Sequence, residues 1–426
     1  MGAGWIDRDA AVIWHGFTQM ATFADNEPVI VERADGRELI DVHGRRYLDA
    51  ISSLWVTTLG HRVPELDSAL MAQLERVAHS TLLGNGNRIV VELAEKLARA
   101  VPVDRPHFLF ASDGAAAVEQ ALKIAFQYWV NEGVQGRSRY LAFGSAYHGD
   151  TIGSLSVGDG GFGAQIFDPL RFPVLRAPGY DDPRCLPNAA GMIAEHADEL
   201  AAVVVEPLVQ GAAGMMLARA DDFGVLADVC RDTGVLLICD EVATGFGRTG
   251  SLFASEACGL TPDLMCIGKG LTGGYLPMAA TVANERVYRA FLGEDLGPRT
   301  LYHGHSYQGN ALAAAVALRH LELLEERYVL VNVRARSAEL AQLLERHVSP
   351  LPGVADVRLQ GLMGAVELRP GDRLGRRACS AAVRRGVLLR SLGDVIVMMP
   401  PLTITSEEVS RLVDALSESI VEVTAA

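Results

Sequence analysis

The chain has 426 residues, of which 49% are hydrophobic and 21% are charged, a composition typical of a globular protein with two or three domains. Its 38 basic residues are outnumbered by 52 acidic ones, so the formal net charge is −14. This balance argues against a nucleic-acid-binding protein, because such proteins carry a basic surface. No apolar run approaches the ~18 residues that a membrane-spanning helix requires.

The N-terminal residues lack the basic and apolar regions of a signal peptide. The six cysteines form no Cys-X-X-Cys pair, and several lie in apolar runs, so we expect reduced core residues rather than disulfides or a metal site. Together these features predict a cytoplasmic protein that binds neither nucleic acid nor a membrane.

The predicted elements begin with a hairpin region over residues 28–50, where Asp35-Gly36 and His43-Gly44 are turn signals. Short apolar runs and longer helical patterns then alternate through the middle of the chain. The predicted strands are 107–112, 139–143, 201–206, 235–240, 263–268 and 278–283, and the clearest helices are 115–130 and 221–234. Continuous apolar strands separated by helices predict a mostly parallel sheet with helices on both faces.

From about residue 325 the pattern changes to helix, strand 354–359, strand 364–368, helix 379–386, strand 387–391, strand 395–400 and a last helix. Thr405 and Glu408 have the spacing of a capping box before that last helix. We therefore predict a large α/β domain over 51–320 and a smaller α+β domain over 321–426, which the segment 1–50 joins.

Two residues at predicted strand ends suggest the chemistry. Asp240 ends one strand, and Lys269 follows the next strand between Gly268 and Gly270. In isolation, the aspartate also fits a turn cap and the lysine an exposed loop. Together they fit pyridoxal 5′-phosphate (PLP), which needs a lysine for a Schiff base and a carboxylate beside its ring nitrogen. Parallel strands bring both residues to the sheet edge where ligands bind.

A phosphate site is predicted where a strand turns into a helix at Gly114 and Ala115, because N–H groups at a helix N-terminus bind anions. Ser306 offers a further hydroxyl donor. Its neighbours His303 and His305 could suggest a metal, but no carboxylate or cysteine cluster accompanies them, so we expect no metal site.

Three more residues follow predicted strands. Tyr147 could stack on a flat heterocycle, and His148 comes next to it; the alternative for the tyrosine is an ordinary half-buried position. Glu206 ends another strand, where it fits either the ligand-binding edge or a structural ion pair.

The motifs DEVATGFGRTG (240–250), GKGLTGGYLP (268–277), YHGDT (147–151), EPLVQGA (206–212) and HGHSYQGN (303–310) resemble those of the class III aminotransferases of PLP fold type I. The resemblance extends to the diaminopelargonate aminotransferase branch, through WHGFTQM (14–20), SSLWVTTLGHR, HSTLLGNGN (79–87) and RSLGDVIVMMPPL (390–402). It implies a large domain with a seven-stranded, mostly parallel sheet. It also implies PLP as cofactor and conversion of 8-amino-7-oxononanoate to 7,8-diaminononanoate in biotin synthesis.

By this resemblance, Lys269 forms the Schiff base and moves protons, and Asp240 pairs with the ring nitrogen. Val242 packs on one face of the ring and Tyr147 on the other. The remaining cofactor contacts that it implies are Gly114, Ala115, His148, Glu206 and, from the partner subunit of a homodimer, Ser306.

For the substrate, the resemblance assigns Arg390 to the carboxylate, Trp55 to the apolar cavity, and Asp150 and Arg248 to nearby positions. Phe17 stands where many relatives carry a tyrosine that contacts the substrate.

Two further departures concern Ala116, at a position that is commonly polar in the family, and Leu54, where an aromatic residue occurs in the branch.

The amino donor stays open between lysine, which WHGFTQM and HGHSYQGN favour, and S-adenosylmethionine. The alternatives are another class III transaminase acting on ω-amino acids or diamines, and a PLP-dependent aminomutase or racemase. A PLP-binding regulator is disfavoured, because the charge of −14 is wrong for DNA binding.

Overall fold

The computed structural model describes residues 4–159 and 163–425. The strands are β1 (Val31–Asp35), β2 (Glu38–Asp41), β3 (Arg46–Asp49), β4 (His107–Ala111), β5 (Arg139–Phe143), β6 (Leu175–Ala177), β7 (Leu200–Val205), β8 (Val209–Gln210), β9 (Met216–Leu217), β10 (Leu236–Asp240), β11 (Leu264–Ile267), β12 (Ala279–Ala283), β13 (Val354–Gln360), β14 (Met363–Leu368), β15 (Val387–Leu388), β16 (Arg390–Leu392) and β17 (Val395–Met398). The helices are α1 (Trp5–Ala10), α2 (Ser52–Trp55), α3 (Pro64–Leu74), α4 (Arg88–Ala98), α5 (Gly114–Asn131), α6 (Ile152–Val157), α7 (Cys185–Glu195), α8 (Gly224–Thr233), α9 (Ala254–Ala257), α10 (Glu285–Arg289), α11 (Ala311–Glu326), α12 (Val329–His347), α13 (Leu374–Arg384) and α14 (Ser406–Thr424).

A seven-stranded sheet in the order β4-β12-β11-β10-β7-β5-β6 forms the centre of the fold. Its strands run parallel except β12, which is antiparallel to β4 and to β11. Every residue of β7, β10, β11 and β12 is buried, because apolar clusters cover both faces of the sheet. This confirms the mostly parallel sheet predicted from continuous apolar runs.

Helix α5 lies against this sheet and begins where the sequence predicted a helix. Asp113 is its N-cap, and the Asp113 side chain accepts a hydrogen bond from the backbone N–H of Ala116. The predicted helix over 221–234 begins instead as a 3₁₀ turn, Ala220–Phe223, and continues as α8. It ends at Gly234, whose φ of 75° requires a residue that tolerates the left-handed region.

Two smaller sheets contain the strands from the chain ends. One has the order β1-β2-β3-β15, with β15 parallel to β3, so it joins an N-terminal and a C-terminal segment. The other has the order β13-β14-β17-β16. The domain boundaries at 50 and 320 remain a prediction. The capping box before α14 is confirmed, since Thr405 and Glu408 exchange side-chain and backbone hydrogen bonds.

The single strand predicted over 387–391 was wrong. The chain instead forms β15, which pairs with β3, and then β16, which pairs with β17 in a different sheet. Residues 387–388 and residues 390–392 form hydrogen bonds with strands of two different sheets. The buried Leu389 lies between these two segments. This change of sheet sets the position of Arg390, the first residue of β16.

All six cysteines are buried and unbridged, as expected for core residues. Within residues 4–159 and 163–425, no helix is long and apolar enough to cross a membrane. The same residues contain no group of three or more His, Cys, Asp or Glu side chains arranged to hold a metal ion.

Candidate active site

Adjacent strands bring Asp240 and Lys269 to one edge of the large sheet. Strands β10 and β11 are parallel, and Asp240 lies opposite Cys266 in their register. Lys269 follows β11 after Gly268 and has a φ of 41°, an uncommon conformation for a residue with a side chain. The sheet topology therefore delivers the pair of residues that the sequence predicted at this edge.

Burial lowers the pKa of Lys269 below its ordinary value, and the nearby carboxylates of Asp240 and Glu206 partly oppose that shift. No ion pair joins Lys269 to any residue in the described part of the chain. The Asp240 carboxylate thus acts on the charge of the amine without an ion pair to it. A desolvated lysine also has a larger fraction of the neutral, nucleophilic amine.

Two hydrogen bonds fix the Asp240 carboxylate. Its Oδ2 lies 2.7 Å from Nδ1 of His148, and its Oδ1 accepts the backbone N–H of Val242 at 3.0 Å. The His148 side chain is buried, and its Nε2 has no partner in the described residues. Because an orphaned buried nitrogen costs free energy, it marks a position maintained for the site rather than for the fold.

Glu206 follows β7 and is 6% exposed. Its carboxylate accepts backbone N–H groups of Tyr147 at 3.2 Å and Gly211 at 3.3 Å. Burial raises the pKa of Glu206 to about 7, an effect to which Asp240 adds. The structural ion pair that the sequence left open is absent from the described residues, so Glu206 links loops at the candidate site.

The N-terminus of α5 lies where the sequence predicted a phosphate site. The N–H groups of Gly114 and Ala115 lie in the first helical turn, where the helix itself offers no acceptors. A Cβ atom on Gly114 would come within 2.6 Å of Val242 Cγ1. The close approach of these two backbone segments therefore requires glycine at 114 and places Val242 beside the helix N-terminus.

A cavity of about 440 Å³ opens beside these loops, and Tyr147, Asp150 and Phe17 line it. The Tyr147 hydroxyl donates to Asp150 Oδ2 at 2.9 Å. Burial and the Asp150 carboxylate raise the Tyr147 pKa, so the hydroxyl stays protonated and can donate a hydrogen bond. Phe17 also lines a second cavity of about 400 Å³ that contains Arg390.

The positive charge of Arg390 acts on Tyr147 in the first cavity, because it partly opposes the rise in the Tyr147 pKa. Arg390 is half-buried and lies at the second cavity beside Phe17. Phe17, 62% exposed, lines both cavities, so an extended ligand that reaches from Tyr147 to Arg390 would pass it.

Trp55 and Arg248 are both buried, at 7% and 1% exposure. The Lys269 Nζ lies over the Trp55 ring, 5.0 Å from its centroid. The Arg248 guanidinium instead donates to the backbone oxygens of Pro400 at 2.7 Å and Thr57 at 2.8 Å. Trp55 thus lies at the candidate site. Arg248 joins two chain segments close enough to Lys269 for its charge to lower the Lys269 pKa, and its assignment to the substrate stays a prediction.

The structure does not bring Ser306 to the other predicted residues of its own chain. Ser306 is exposed, and its carbonyl accepts a hydrogen bond from His79 Nε2 at 2.7 Å. The same loop approaches the phosphate region at His305, whose Nδ1 lies 3.4 Å from Ser112 Oγ. An exposed Ser306 is compatible with a role toward a partner subunit, which remains a prediction.

The sequence reasoning missed Gly149. Its φ is 128°, and a Cβ there would lie 2.4 Å from the Cβ of Ala115. It therefore allows the loop that carries Tyr147 and His148 to pack onto the start of α5. Its position directly after two predicted site residues was the signal that could have identified it.

These residues fit PLP. The Lys269 amine and the fixed Asp240 carboxylate follow adjacent parallel strands, the first turn of α5 can take the phosphate, and Val242 packs against Gly114 at the start of that helix. The fold and this site define a PLP-dependent enzyme of fold type I.

The model of the family "Aminotransferase class-III" matches residues 20–420. The chain belongs to this family and is a transferase of amino groups. It is 46% identical to the adenosylmethionine-8-amino-7-oxononanoate aminotransferase of Nitratidesulfovibrio vulgaris, over 98% of this chain and 81% of that protein.

Two solved structures illustrate the structural similarity. The crystal structure of adenosylmethionine-8-amino-7-oxononanoate aminotransferase from Methanocaldococcus jannaschii has a TM-score of 0.94 and 38% identity, over 98% of each chain. An amine transaminase from an uncultivated Pseudomonas species, in its PLP-bound form, has a TM-score of 0.89 and 34% identity, over 96% of this chain and 98% of that one.

Proposed function

We propose that this protein is a PLP-dependent aminotransferase that converts 8-amino-7-oxononanoate to 7,8-diaminononanoate in biotin synthesis. The observation that carries the chemistry is the buried Lys269 amine held near Asp240 without an ion pair. The choice of acceptor is supported by the names of the similar proteins from N. vulgaris and M. jannaschii.

The residues proposed to hold the cofactor lie near the C-terminal ends of β10 and β11, where Gly268 lies close to Val242 and Gly114. Gly114 and Ala115 would bind its phosphate through backbone N–H groups, and Val242 would pack against one face of its ring. Tyr147 would lie toward the other face. PLP bound there would supply an electron sink for the bond that breaks at the substrate carbon.

Lys269 is proposed to move the proton. Its Nζ would accept the proton from the substrate Cα, acting as a base, and would then donate it to the cofactor carbon, acting as an acid. Burial suits it to both roles, because it lowers the Lys269 pKa toward the working pH. Asp240, fixed by His148 and Val242, holds negative charge beside the ring nitrogen.

The two cavities suggest how a long keto acid binds. Its carboxylate pairs with Arg390 in the second cavity, where a guanidinium offers a bidentate contact. Its chain passes Phe17, and its amino and keto groups reach Tyr147 and Asp150 in the first cavity. The Asp150 carboxylate suits a substrate ammonium.

For the donor we propose S-adenosylmethionine in preference to lysine. The resemblance of two sequence motifs favoured lysine, but the similar proteins from N. vulgaris and M. jannaschii are both named for adenosylmethionine. We further propose a cytoplasmic homodimer in which the partner contributes Ser306 to the phosphate site, a role that suits its exposure.

The test is a donor screen with purified, PLP-loaded protein and 8-amino-7-oxononanoate as acceptor. Diaminononanoate detected by mass with S-adenosylmethionine, and in much lower yield with lysine, is the expected result. Product with lysine alone would overturn the donor assignment. Absence of product with every donor would overturn the proposed acceptor.

A second candidate is a general amine transaminase, which the similar structure from the uncultivated Pseudomonas species favours. The same protein preparation would then transfer an amino group from a simple amine such as 1-phenylethylamine to pyruvate. A kcat/KM for this pair above that for 8-amino-7-oxononanoate would select the second candidate. Recovery of a keto product from the donor excludes an aminomutase in either case.

A further inference from the structure

The Lys269 ammonium lies over the ring of Trp55. Its Nζ lies 5.0 Å from the centroid of the Trp55 ring, within the range of a cation–π interaction. Residues 4–159 and 163–425 provide no ion pair and no hydrogen bond to this nitrogen. The Trp55 ring is therefore the direct contact that stabilises the charge of a buried lysine.

Trp55 occupies this position at a cost in free energy. Ser52, Ser53 and Trp55 have φ values of 50°, 60° and 67°, a strained conformation for residues with side chains. The indole nitrogen of Trp55 is buried and has no partner among the described residues. Both features cost free energy that the burial of Trp55 in the core offsets, and backbone strain of this kind is typical of functional sites.

Hydrogen bonds to near and distant parts of the chain hold the strained segment. The Ser52 hydroxyl donates to the backbone oxygen of Met399 at 2.6 Å, and the Ser53 N–H and hydroxyl both donate to the Asp49 carboxylate at 2.8 Å. A Cβ on Gly211 would lie 3.3 Å from Trp55 Cζ3. The ring is therefore packed against this loop and fixed in front of Lys269.

We infer that Trp55 is a positioning residue whose ring holds the Lys269 ammonium whenever that lysine is not bonded to the cofactor, an assignment that rests on the proposed function. A released ammonium could instead pair with the Asp240 carboxylate, or with the Glu206 carboxyl when it is ionised, whereas the Arg248 guanidinium repels it. An ion pair with either would draw the amine away from the reacting carbon. A ring face attracts the ammonium more weakly and releases it readily.

The experiment measures the titration of Lys269 in protein from which the cofactor has been removed. The chain contains only three lysines, Lys96, Lys123 and Lys269, so competitive acetylation across pH, followed by peptide mass spectrometry, reports each one separately. Lys96, which pairs with Glu325, and Lys123 serve as internal references.

The Trp55→Leu variant should lower the titration midpoint of Lys269 by about 0.5 to 1 pH unit, because the charged form loses its aromatic contact. Trp55→Phe should lower it by less, since phenylalanine retains a weaker ring. Trp14→Leu is the matched control, because Trp14 is 90% exposed, and it should leave the midpoint unchanged.

A midpoint that is unchanged or higher in both Trp55 variants would overturn the inference, since water entry or looser packing favours the charged form without any ring effect. Thermal unfolding of each variant checks the fold, and Trp55→Phe carries the test if Trp55→Leu does not fold. A PLP titration of the same wild-type preparation tests the proposed function separately, because the acetylation measurement uses no cofactor and no substrate.

Discussion

Glu206→Gln should make the stability of the cofactor-free protein less dependent on pH. Burial raises the Glu206 pKa from an ordinary 4.5 to about 7. The folded state therefore retains a proton that the unfolded state loses, and stability falls as pH rises between those two values. A difference of about 2.5 units corresponds to roughly 3 kcal/mol at pH 8, and the penalty is absent below pH 4.5.

Glutamine is neutral at every pH in this range and so avoids that penalty. It also replaces one of the two oxygens that accept the N–H groups of Tyr147 and Gly211. That loss costs about 1 kcal/mol at all pH values. We therefore expect the variant to be less stable than wild type at pH 4.5 and more stable at pH 8.

The assay is urea unfolding of both proteins from pH 4.5 to 8 at one protein concentration, because assembly makes apparent stability concentration-dependent. Glu95→Gln, at an exposed helical position, is the control and should show a flat difference from wild type. A flat difference for Glu206→Gln as well would refute the view that burial keeps this carboxyl protonated.

Further substitutions test the cofactor and substrate contacts. Lys269→Ala should abolish turnover and the visible absorbance of lysine-bound cofactor, and wild-type transamination would disprove its role. Asp240→Asn should lower kcat on the order of 100-fold, measured at saturating PLP. Gly114→Ala, whose Cβ would meet Val242, should weaken PLP binding roughly 10-fold or more in a fluorescence titration. Arg390→Ala should raise KM for a keto acid roughly 10-fold, and an equal effect on its methyl ester would contradict a carboxylate contact.

The large sheet was predictable from the sequence, and so was the placement of Asp240 and Lys269 at one edge of it. Apolar runs identify strands that are buried on both faces, and parallel neighbours place their C-terminal ends at one edge. Strand β10 ends at Asp240, and Lys269 follows β11 after Gly268. Both inferences use local patterns and one general rule of sheet topology.

Contacts between distant segments were not predictable. His148 meets Asp240 across 92 residues, and Trp55 meets Lys269 through a segment of strained backbone. No periodicity encodes either contact. The burial of Arg248 against two carbonyl oxygens likewise depends on how separate chain segments fold together.

The most direct test of the central claim is to identify which lysine bonds the cofactor. Protein loaded with PLP is reduced with borohydride, which makes the bond permanent, and its peptides are then mapped by mass spectrometry. We predict one cofactor per chain on the peptide that contains Lys269. Cofactor on Lys96 or Lys123 instead, or on none of the chain's three lysines, would contradict the active site described above.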